Sequence, residues 1–554
     1  MKKLLLSLVL IGLAIPTIAF ASPTGKNLAG KLAGKDSNPA AKKAQDKKAP
    51  KKEEKPDDKM GDEDELDIPG PEDINKINIG GLNKKKKIDP KLKKASELMK
   101  ALMDHFAKKD YQKAKEVVLE LIKMYPKEGV HWYNLACAES RMKNYEIAIK
   151  HLKNAVKHGY DGMMHMERDK DLTALHKYEE FKKLLGQREK IHRERADKIF
   201  AKLKKKYGPD YIMEIDHERR LIFATNVDRE TLEMLKKELT RQTKAMWSGK
   251  LFDNKFERYI TVVIPKPESV RNMGSVGGYY RPDKAFLVAR SIGYVLRHEF
   301  THALHFADIA LRQQSHPIWV LEGLATLYES SNYDKNGDLV PTSSMRLWTV
   351  KQHLKNKTLF PIKKFLKMDH RAFMSPTTVG LAYAQSRYFM KFIYDQGKLK
   401  EWYDEYCANF KEDKTGELAI KKVFKMSLKE FEQKWHAYLK KEKLPMMNAG
   451  KNKPFLGIGS QATVDGLEVK RVVKGSGADK AGLKPNDVIV KIDGKRIIER
   501  QDLIKITASK KINDVITIRI RRGKEYKDIK VKLGARPKVV TRPKPKFRMR
   551  RKAG

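Results

Sequence analysis

The stretch Arg297-His298-Glu299-Phe300-Thr301-His302-Ala303-Leu304-His305 holds residue types suited to metal chemistry, in the pattern H-E-x-x-H. On a helix, His298 and His302 stand four residues apart, one turn along the same face. Two imidazoles so placed can grip one metal ion, and Glu299 beside them can reach a water bound to it. Five-residue patterns recur by chance, and a surface helix with two histidines is the bland alternative, so a third ligand decides. Glu322 lies 20 positions after His302, within Trp319-Val320-Leu321-Glu322-Gly323-Leu324-Ala325. Two neutral imidazoles and one carboxylate leave a divalent ion with a single positive charge and a fourth position open for water, as catalysis requires.

At these residues the chain resembles the gluzincin metallopeptidases, the thermolysin-like and M1-aminopeptidase-like group. Their H-E-x-x-H is followed by a glutamate on the next helix, often within W-x-x-E-G-x-A. The resemblance implies one Zn2+ ion with His298, His302 and Glu322 as ligands and Glu299 as general base. Leu321 stands where these families often carry Asn, a departure that bears on contacts around the ligands. Tyr383, in Leu381-Ala382-Tyr383-Ala384-Gln385-Ser386, lies 61 positions after Glu322 and resembles the tyrosine these enzymes aim at the oxyanion. A core tyrosine at a helix start is the alternative. No G-x-M-E-N amine-binding motif is visible upstream, so an endopeptidase is expected over an exopeptidase. Ser427 to Glu432, with Trp435 and Leu439, resembles the helical end of exported bacterial gluzincin-like domains, so the resemblance spans residues 195–445. A metzincin reading would recruit His305 and Asp308, with Met345 as a Met-turn. His305 occupies the position where that turn needs glycine, so it is expected on the helix face outside the ligand set. The expected mechanism has zinc acidify its water, Glu299 take the proton as hydroxide attacks a peptide carbonyl, and zinc with Tyr383 hold the oxyanion.

Such a site needs elements that hold it. Arg219 to Thr225 reads as a strand, and Asp228 can cap a helix running to about Met246 with Leu232, Leu235 and Leu239 on one face. Tyr259 to Ile264 reads as a second strand. Gly277-Gly278-Tyr279-Tyr280 leads into a third at Ala285 to Val288, directly before the H-E-x-x-H helix. Lys284 to Ala289 is the expected exposed edge that would hold an extended substrate by main-chain hydrogen bonds. Gln187 to Lys206 reads as a charged connector helix.

The remaining sequence surrounds this unit with other modules. In residues 92–190, Lys109-Asp110-Tyr111-Gln112-Lys113-Ala114 matches Lys143-Asn144-Tyr145-Glu146-Ile147-Ala148 at a spacing of 34, and the small residues and period resemble tetratricopeptide (TPR) repeats. Residues 453–535 change to short strands and Gly-rich turns. Gly475 to Ile489, with Ala481-Gly482-Leu483-Lys484-Pro485-Asn486-Asp487, strongly resembles a PDZ domain of the bacterial protease-associated type. That resemblance places Phe455, Leu456, Gly457 and Ile458 where PDZ domains hold a C-terminal carboxylate, with Phe455 at the usual first glycine. The expected fold class is thus multidomain α+β: TPR-like helical repeats, a gluzincin zinc-peptidase domain with a small mixed sheet plus helices, and a β-rich PDZ domain.

Charge and composition bound the function. The 554 residues are 40% hydrophobic and 34% charged, with a formal net charge of +47. So large an excess points either to an acidic partner, such as a membrane surface, an anionic envelope polymer, nucleic acid or an acidic substrate, or to solubility and habitat alone. Met1-Lys2-Lys3, the apolar run to Ile18 and Ala19-Phe20-Ala21 fit a signal peptide, 1–21, so an exported protein, periplasmic or extracellular, is expected. Residues 22–91 form a charged linker too poor in apolar residues to fold alone. The tail 536–554 carries nine Lys or Arg with one aromatic, which does not support sequence-specific nucleic-acid reading. Cys137 and Cys407 are expected as buried thiols. Two functions follow: an exported zinc endopeptidase whose TPR and PDZ modules capture a protein or peptide substrate, or an inactive peptidase-like scaffold acting through those modules.

Overall fold

The computed structural model describes residues 18–21, 89–247, 249–266, 269, 276–445, 453–523 and 525–535. The expectations for the charged linker up to residue 88, for most of the leader and for the basic tail lie outside the described residues. The chain is a multidomain α+β protein with extensive helical regions.

The first helical region starts where the sequence supplies a cap. Asp89 accepts from the Lys91 N–H and Pro90 takes the first helical position of α1, Pro90–Lys108. There a missing N–H leaves no bond unmade. Helices α2 (Tyr111–Met124), α3 (Gly129–Arg141) and α4 (Tyr145–Lys157) follow. The turns after α1 and α3 each pass through a left-handed lysine, Lys109 at φ 61° and Lys143 at φ 69°. These two stand one repeat apart, each followed by a short polar residue at the next N-cap. Ala114, Val118 and Leu121 share one core with Ala148, Leu152 and Ala155.

The second region is built on a six-stranded sheet. Its order is β1 (Ile18–Ala21), β5 (Val276–Arg281), β6 (Phe286–Ala289), β4 (Ile260–Ile264), β3 (Leu221–Thr225), β2 (Ile212–Asp216). Strands β3, β4 and β6 run parallel, and β2 and β5 are antiparallel to their neighbours. The central strands Leu-Ile-Phe-Ala-Thr and Ile-Thr-Val-Val-Ile are buried throughout. That is the pattern of strands covered on both faces. On one face Leu221, Phe223, Val262 and Leu287 pack against Leu232, Leu235 and Leu239 of α6 (Arg229–Met246). On the other, Ile222, Ala224, Val263 and Val288 pack against Ala196, Leu203 and Tyr207 of α5 (Arg188–Tyr207). The expected connector is therefore a layer of the fold: its few apolar residues share one face among many lysines and arginines.

The expected edge strand is corrected. Lys284 to Ala289 is not an edge, because β6 lies between β4 and β5. Its four residues are all buried. A hairpin turn through Ala285, at φ 48°, folds β5 back alongside it. Strand β5 lies outside it and pairs in turn with Ile18–Ala21 through Ile18↔Tyr280 and Ala19↔Tyr279. That segment lies within the expected leader, so the pairing belongs to the uncleaved chain.

Helices α7 (Tyr294–Leu311) and α8 (Ile318–Glu329) follow the sheet, with α7 against β5 and β6. Helix α8 is buried along its whole length. It packs against α10 (Val379–Asp395), and α9 (Arg346–Lys355) also packs on α10. The last helix of this region, α11 (Leu428–Lys441), begins at a capping box between Ser427 and Glu430.

The C-terminal unit has its own core of Leu467, Val469, Ile489, Ile492, Ile516, Ile518, Ile520 and Val531. Its sheet runs β10 (Ile458–Ala462), β11 (Leu467–Val472), β12 (Val488–Ile492), β14 (Val515–Arg522), β15 (Glu525–Lys532), with β13 (Lys495–Arg496) beside β12. A short pair joins β9 (Pro454–Phe455) to β16 (Gly534–Ala535). Helix α12 (Arg500–Ala508) packs across β9 and β10. Both cysteines are buried free thiols. No helix among the described residues is long and apolar enough to cross a membrane.

Candidate metal centre

Helix α7 presents His298, Glu299 and His302, and α8 presents Glu322; all four are fully buried. His298, His302 and Glu322 offer ligand atoms that lie within 4.8 Å of one another. His298 Nε2 and His302 Nε2 are 3.2 Å apart, and Glu322 Oε2 is 3.3 Å from the first and 3.7 Å from the second. A tetrahedral ion with bonds of ~2.0–2.1 Å places its ligand atoms about 3.3 Å apart. The three spacings fit such an ion.

The orphaned polar atoms point the same way. Both carboxylate oxygens of Glu299 and of Glu322, and His302 Nδ1, are buried without a hydrogen-bond partner. Buried polar groups left so are costly, and native folds explain each of them. Two ring nitrogens facing each other at 3.2 Å cannot both donate, whereas both can share a cation through their lone pairs. One Zn2+ fits this donor set.

The charges are strongly coupled. For His298, burial opposes the charged form, but its bonds to Glu322 and Glu329 outweigh burial and push its pKa up to about 10. For Glu322, burial also opposes the charge, and His302 and His298 outweigh it, bringing the pKa down to about 2. Glu299 goes the other way: burial, reinforced by Glu322 and Glu329 against His298, holds its carboxyl well above the ordinary value. Two glutamates in one pocket are thus driven apart in their protonation.

Contacts absent from the sequence reading complete the centre. Glu329 Oε2 lies 3.2 Å from His298 Nδ1. Its other oxygen is held by Arg346 Nε at 2.9 Å. A carboxylate on the far ring nitrogen fixes the imidazole's tautomer and orientation. Glu329 follows Glu322 by seven residues, two turns on the same helix face, and that periodicity was a usable signal. Arg346, on another helix, left none. Gly278 of β5 was read only as part of a strand lead. A Cβ there would sit 2.6 Å from Val288 O and 2.9 Å from Glu299 Cγ, so only glycine lets this strand pass so close to the Glu299 side chain.

Tyr383 stands near the start of α10, buried, with the Arg346 guanidinium 5.4 Å from its ring centroid. Burial first, then the charges of Glu322 and Glu299, hold its phenol well above the ordinary value, so it remains a donor. The structure brings it to the same pocket.

The metzincin residues are placed elsewhere. His305 Nε2 is 2.9 Å from His316 Nδ1, and its ring stacks on Phe252. Asp308 accepts from Asn254 N at 2.9 Å, Tyr403 Oη at 2.8 Å and Arg312 Nε at 2.8 Å. Met345 is exposed. Burial opposes the Asp308 charge, yet the Asn254 N–H, Arg312 and Tyr403 outweigh it and lower its pKa. A carboxyl depressed in the folded state contributes stability above its unfolded pKa of about 3.9, and that stability is lost as pH falls through the folded value. Asp308→Asn is therefore expected to be about 2 kcal/mol less stable than the parent at pH 7, from its weakened charged hydrogen bonds. The difference should shrink as pH falls below about 4, which urea midpoints at several pH values would read.

A cavity of ≈ 670 Å³ opens between the first helical region and this one, lined among others by Tyr160, His165, Tyr280, Phe306, Leu321 and His370. It reaches the metal helix pair at Leu321, beside Glu322. In the C-terminal unit, Leu456 is buried in the core while Phe455 and Ile458 are half-buried. Ala478 N–H donates to Leu456 O at 2.9 Å and Val473 N–H to Gly457 O at 2.7 Å, which pins the loop beside α12.

Two family models match parts of the chain. One is "PDZ domain", over residues 454–533. The other is "Protein of unknown function (DUF1570)", over residues 293–411, a span that holds His298, Glu299, His302, Glu322, Glu329, Arg346 and Tyr383. Curated relatives include a "Probable CtpA-like serine protease" of Staphylococcus aureus (strain bovine RF122 / ET3-1), 34% identical over 132 residues, covering 23% of this chain and 26% of the relative. Its counterpart in strain COL is 37% identical over 109 residues, covering 19% and 22%. The chain thus spans about a quarter of the length of the curated relatives it matches. Among solved structures, "HtrA-type protease AlgW with decapeptide" is 22% identical at TM-score 0.15, covering 16% of this chain and 30% of that one. The HtrA3 PDZ domain bound to a phage-derived ligand is 20% identical at TM-score 0.14, covering 15% and 85%.

These findings correct the sequence reading. The relatives that emerge are named serine proteases, so recognition of the chain as a gluzincin-type metallopeptidase is withdrawn, together with the zinc-endopeptidase activity and metalloprotease class attached to it. The physical reason is that H-E-x-x-H with a downstream glutamate specifies a set of ligand atoms, and a ligand set alone fixes neither a substrate nor a reaction. The serine-protease activity is stated of those relatives. The chain is a multidomain α+β protein that ends in a PDZ domain, a module for peptide or protein ligands.

Proposed function

We propose that this protein joins a peptide-capturing PDZ domain to a single zinc centre on His298, His302 and Glu322. The observation that carries the reading is the convergence of two imidazole nitrogens and a carboxylate oxygen at spacings of 3.2, 3.3 and 3.7 Å. Beside these ligands lies Glu299, fully buried and packed against Gly278 of β5. Tyr383 donates a hydrogen bond toward negative charge that develops in the pocket. Glu329, held by Arg346, orients His298. The helical repeats of 92–190 are TPR-like, and they wall one side of the cavity that leads to Leu321. The domain limits follow the sequence boundaries, with the site unit at 195–445 and the PDZ unit at 453–535. The leader and the net charge of +47 support an exported protein that works against anionic envelope polymer or membrane surface.

Purified full chain, mature from residue 22, is expected to carry one zinc per chain by elemental analysis. Zinc that fails to bind at one equivalent under competition with a chelator overturns the reading. The PDZ unit is expected to take peptides by the loop Phe455, Leu456, Gly457 and Ile458. Titration of a peptide library with free carboxyl ends should give complexes that amidation of the same peptides weakens by at least about tenfold, a loss of ~1.4 kcal/mol. Equal binding of both forms would remove the carboxylate role.

A further inference from the structure

The PDZ domain touches the metal-site helix at its first turn. Helix α7 begins at Gly293, which has no side chain to cap it. The missing acceptor comes from across the domain boundary. Glu499 Oε2, at the N-cap of α12, accepts from the Tyr294 N–H at 3.1 Å. A carboxylate at a helix N-terminus satisfies an orphan donor and meets the positive end of the dipole. The same carboxylate accepts from Arg297 Nη2 at 3.0 and 3.1 Å. Arg297 in turn donates to Glu329 O through Nε at 3.2 Å and Nη2 at 3.1 Å. Glu329 then meets His298 Nδ1. Three contacts therefore lead from the PDZ helix to a metal ligand.

Both ends of this link are built for close approach. A Cβ on Gly293 would sit 2.9 Å from Glu499 Oε2 and 3.2 Å from Ile498 Cγ2. On the PDZ side, the N–H groups of Ile498 and Glu499 both donate to Asp502 Oδ2 at 3.0 Å, which fixes the backbone that carries the carboxylate. Arg496 to Thr231, Lys491 to Glu230 and Lys505 to Asn332 dock the surrounding surface.

We propose that Glu499 is a positioning residue for the metal centre, supplied by the PDZ domain, and that it couples the PDZ helix to the metal-site helix. The inference rests on the reading of His298, His302 and Glu322 as a zinc site. Coupling is reciprocal: what Glu499 contributes to zinc binding, zinc returns to the docking of α12.

The test uses the full chain and zinc alone. Zinc affinity is measured by chelator competition for the parent, Glu499→Gln and the control Lys491→Ala, which sits at the same interface without contacting the link. Glu499→Gln is expected to weaken zinc binding about tenfold, as loss of groups that orient ligands does, while Lys491→Ala stays near the parent. In parallel, hydrogen exchange of the parent is followed with and without zinc. Amides of residues 294–297 and 498–503 should slow when zinc is added. A parent that binds no zinc refutes the metal reading itself. A parent that binds zinc, with Glu499→Gln unchanged or no zinc-dependent protection at 498–503, refutes the coupling. The exchange arm needs no variant, so a Glu499→Gln chain that fails to fold leaves the proposal testable.

Discussion

Glu322→Ala is expected to weaken zinc binding by roughly 10²- to 10³-fold. Structural zinc sites bind with ~10–16 kcal/mol over four ligands, so one ligand is worth about 3–4 kcal/mol. Here the protein offers three, and Glu322 is the only carboxylate among them. Its removal leaves two imidazoles on one helix turn, a bidentate grip whose ion would keep an extra positive charge in a buried pocket. Glu299→Gln makes the contrast, because it leaves all three ligand atoms in place. Its zinc affinity should stay within a few-fold of the parent. Chelator competition on the three proteins decides the matter: equal zinc affinity of Glu322→Ala and the parent would remove Glu322 from the ligand set.

The second large effect is structural. Trp319→Ala is expected to cost about 3–5 kcal/mol, the range for emptying a buried aromatic site. Trp319 is fully buried on the ligand helix α8. Its ring centroid lies 5.3 Å from that of Phe389 and 5.7 Å from those of Phe365 and Trp402. The cavity would open one turn from Glu322, so zinc affinity should fall together with the urea midpoint. Trp319→Phe keeps most of the volume and should lose much less of both. If the alanine variant unfolds at the parent's urea concentration, the aromatic cluster does not hold α8. A drop in stability with zinc affinity intact would show that α8 keeps Glu322 in place without it.

The pattern of local residues carried a large part of the arrangement. Histidines four apart, the Trp319 to Ala325 frame, the 34-residue repeat and the Gly-rich PDZ segment are short-range features. Helix and strand geometry turns such spacing directly into shared faces. For that reason the sequence by itself groups His298, His302, Glu322 and Tyr383 as candidates and sets His305 apart from them. The same logic overreached when it attached a zinc-metallopeptidase reaction to the ligand set, since the relatives are named serine proteases and share only about a quarter of their length with this chain.

What tertiary structure alone decided is what long-range chain paths decide. Strand order is one case: Lys284 to Ala289 is the expected edge, but a hairpin through Ala285 adds β5 outside it. The layer role of α5 is another, since its buried face emerges only when a sheet lies against it. The contacts that tune the centre span large separations, 31 residues from His298 to Glu329 and 202 from Arg297 to Glu499. Periodicity reports which residues share a face of one element. It carries no record of which distant carboxylate that face will meet, and here Glu329 meets His298 and Glu499 caps the first turn of its helix.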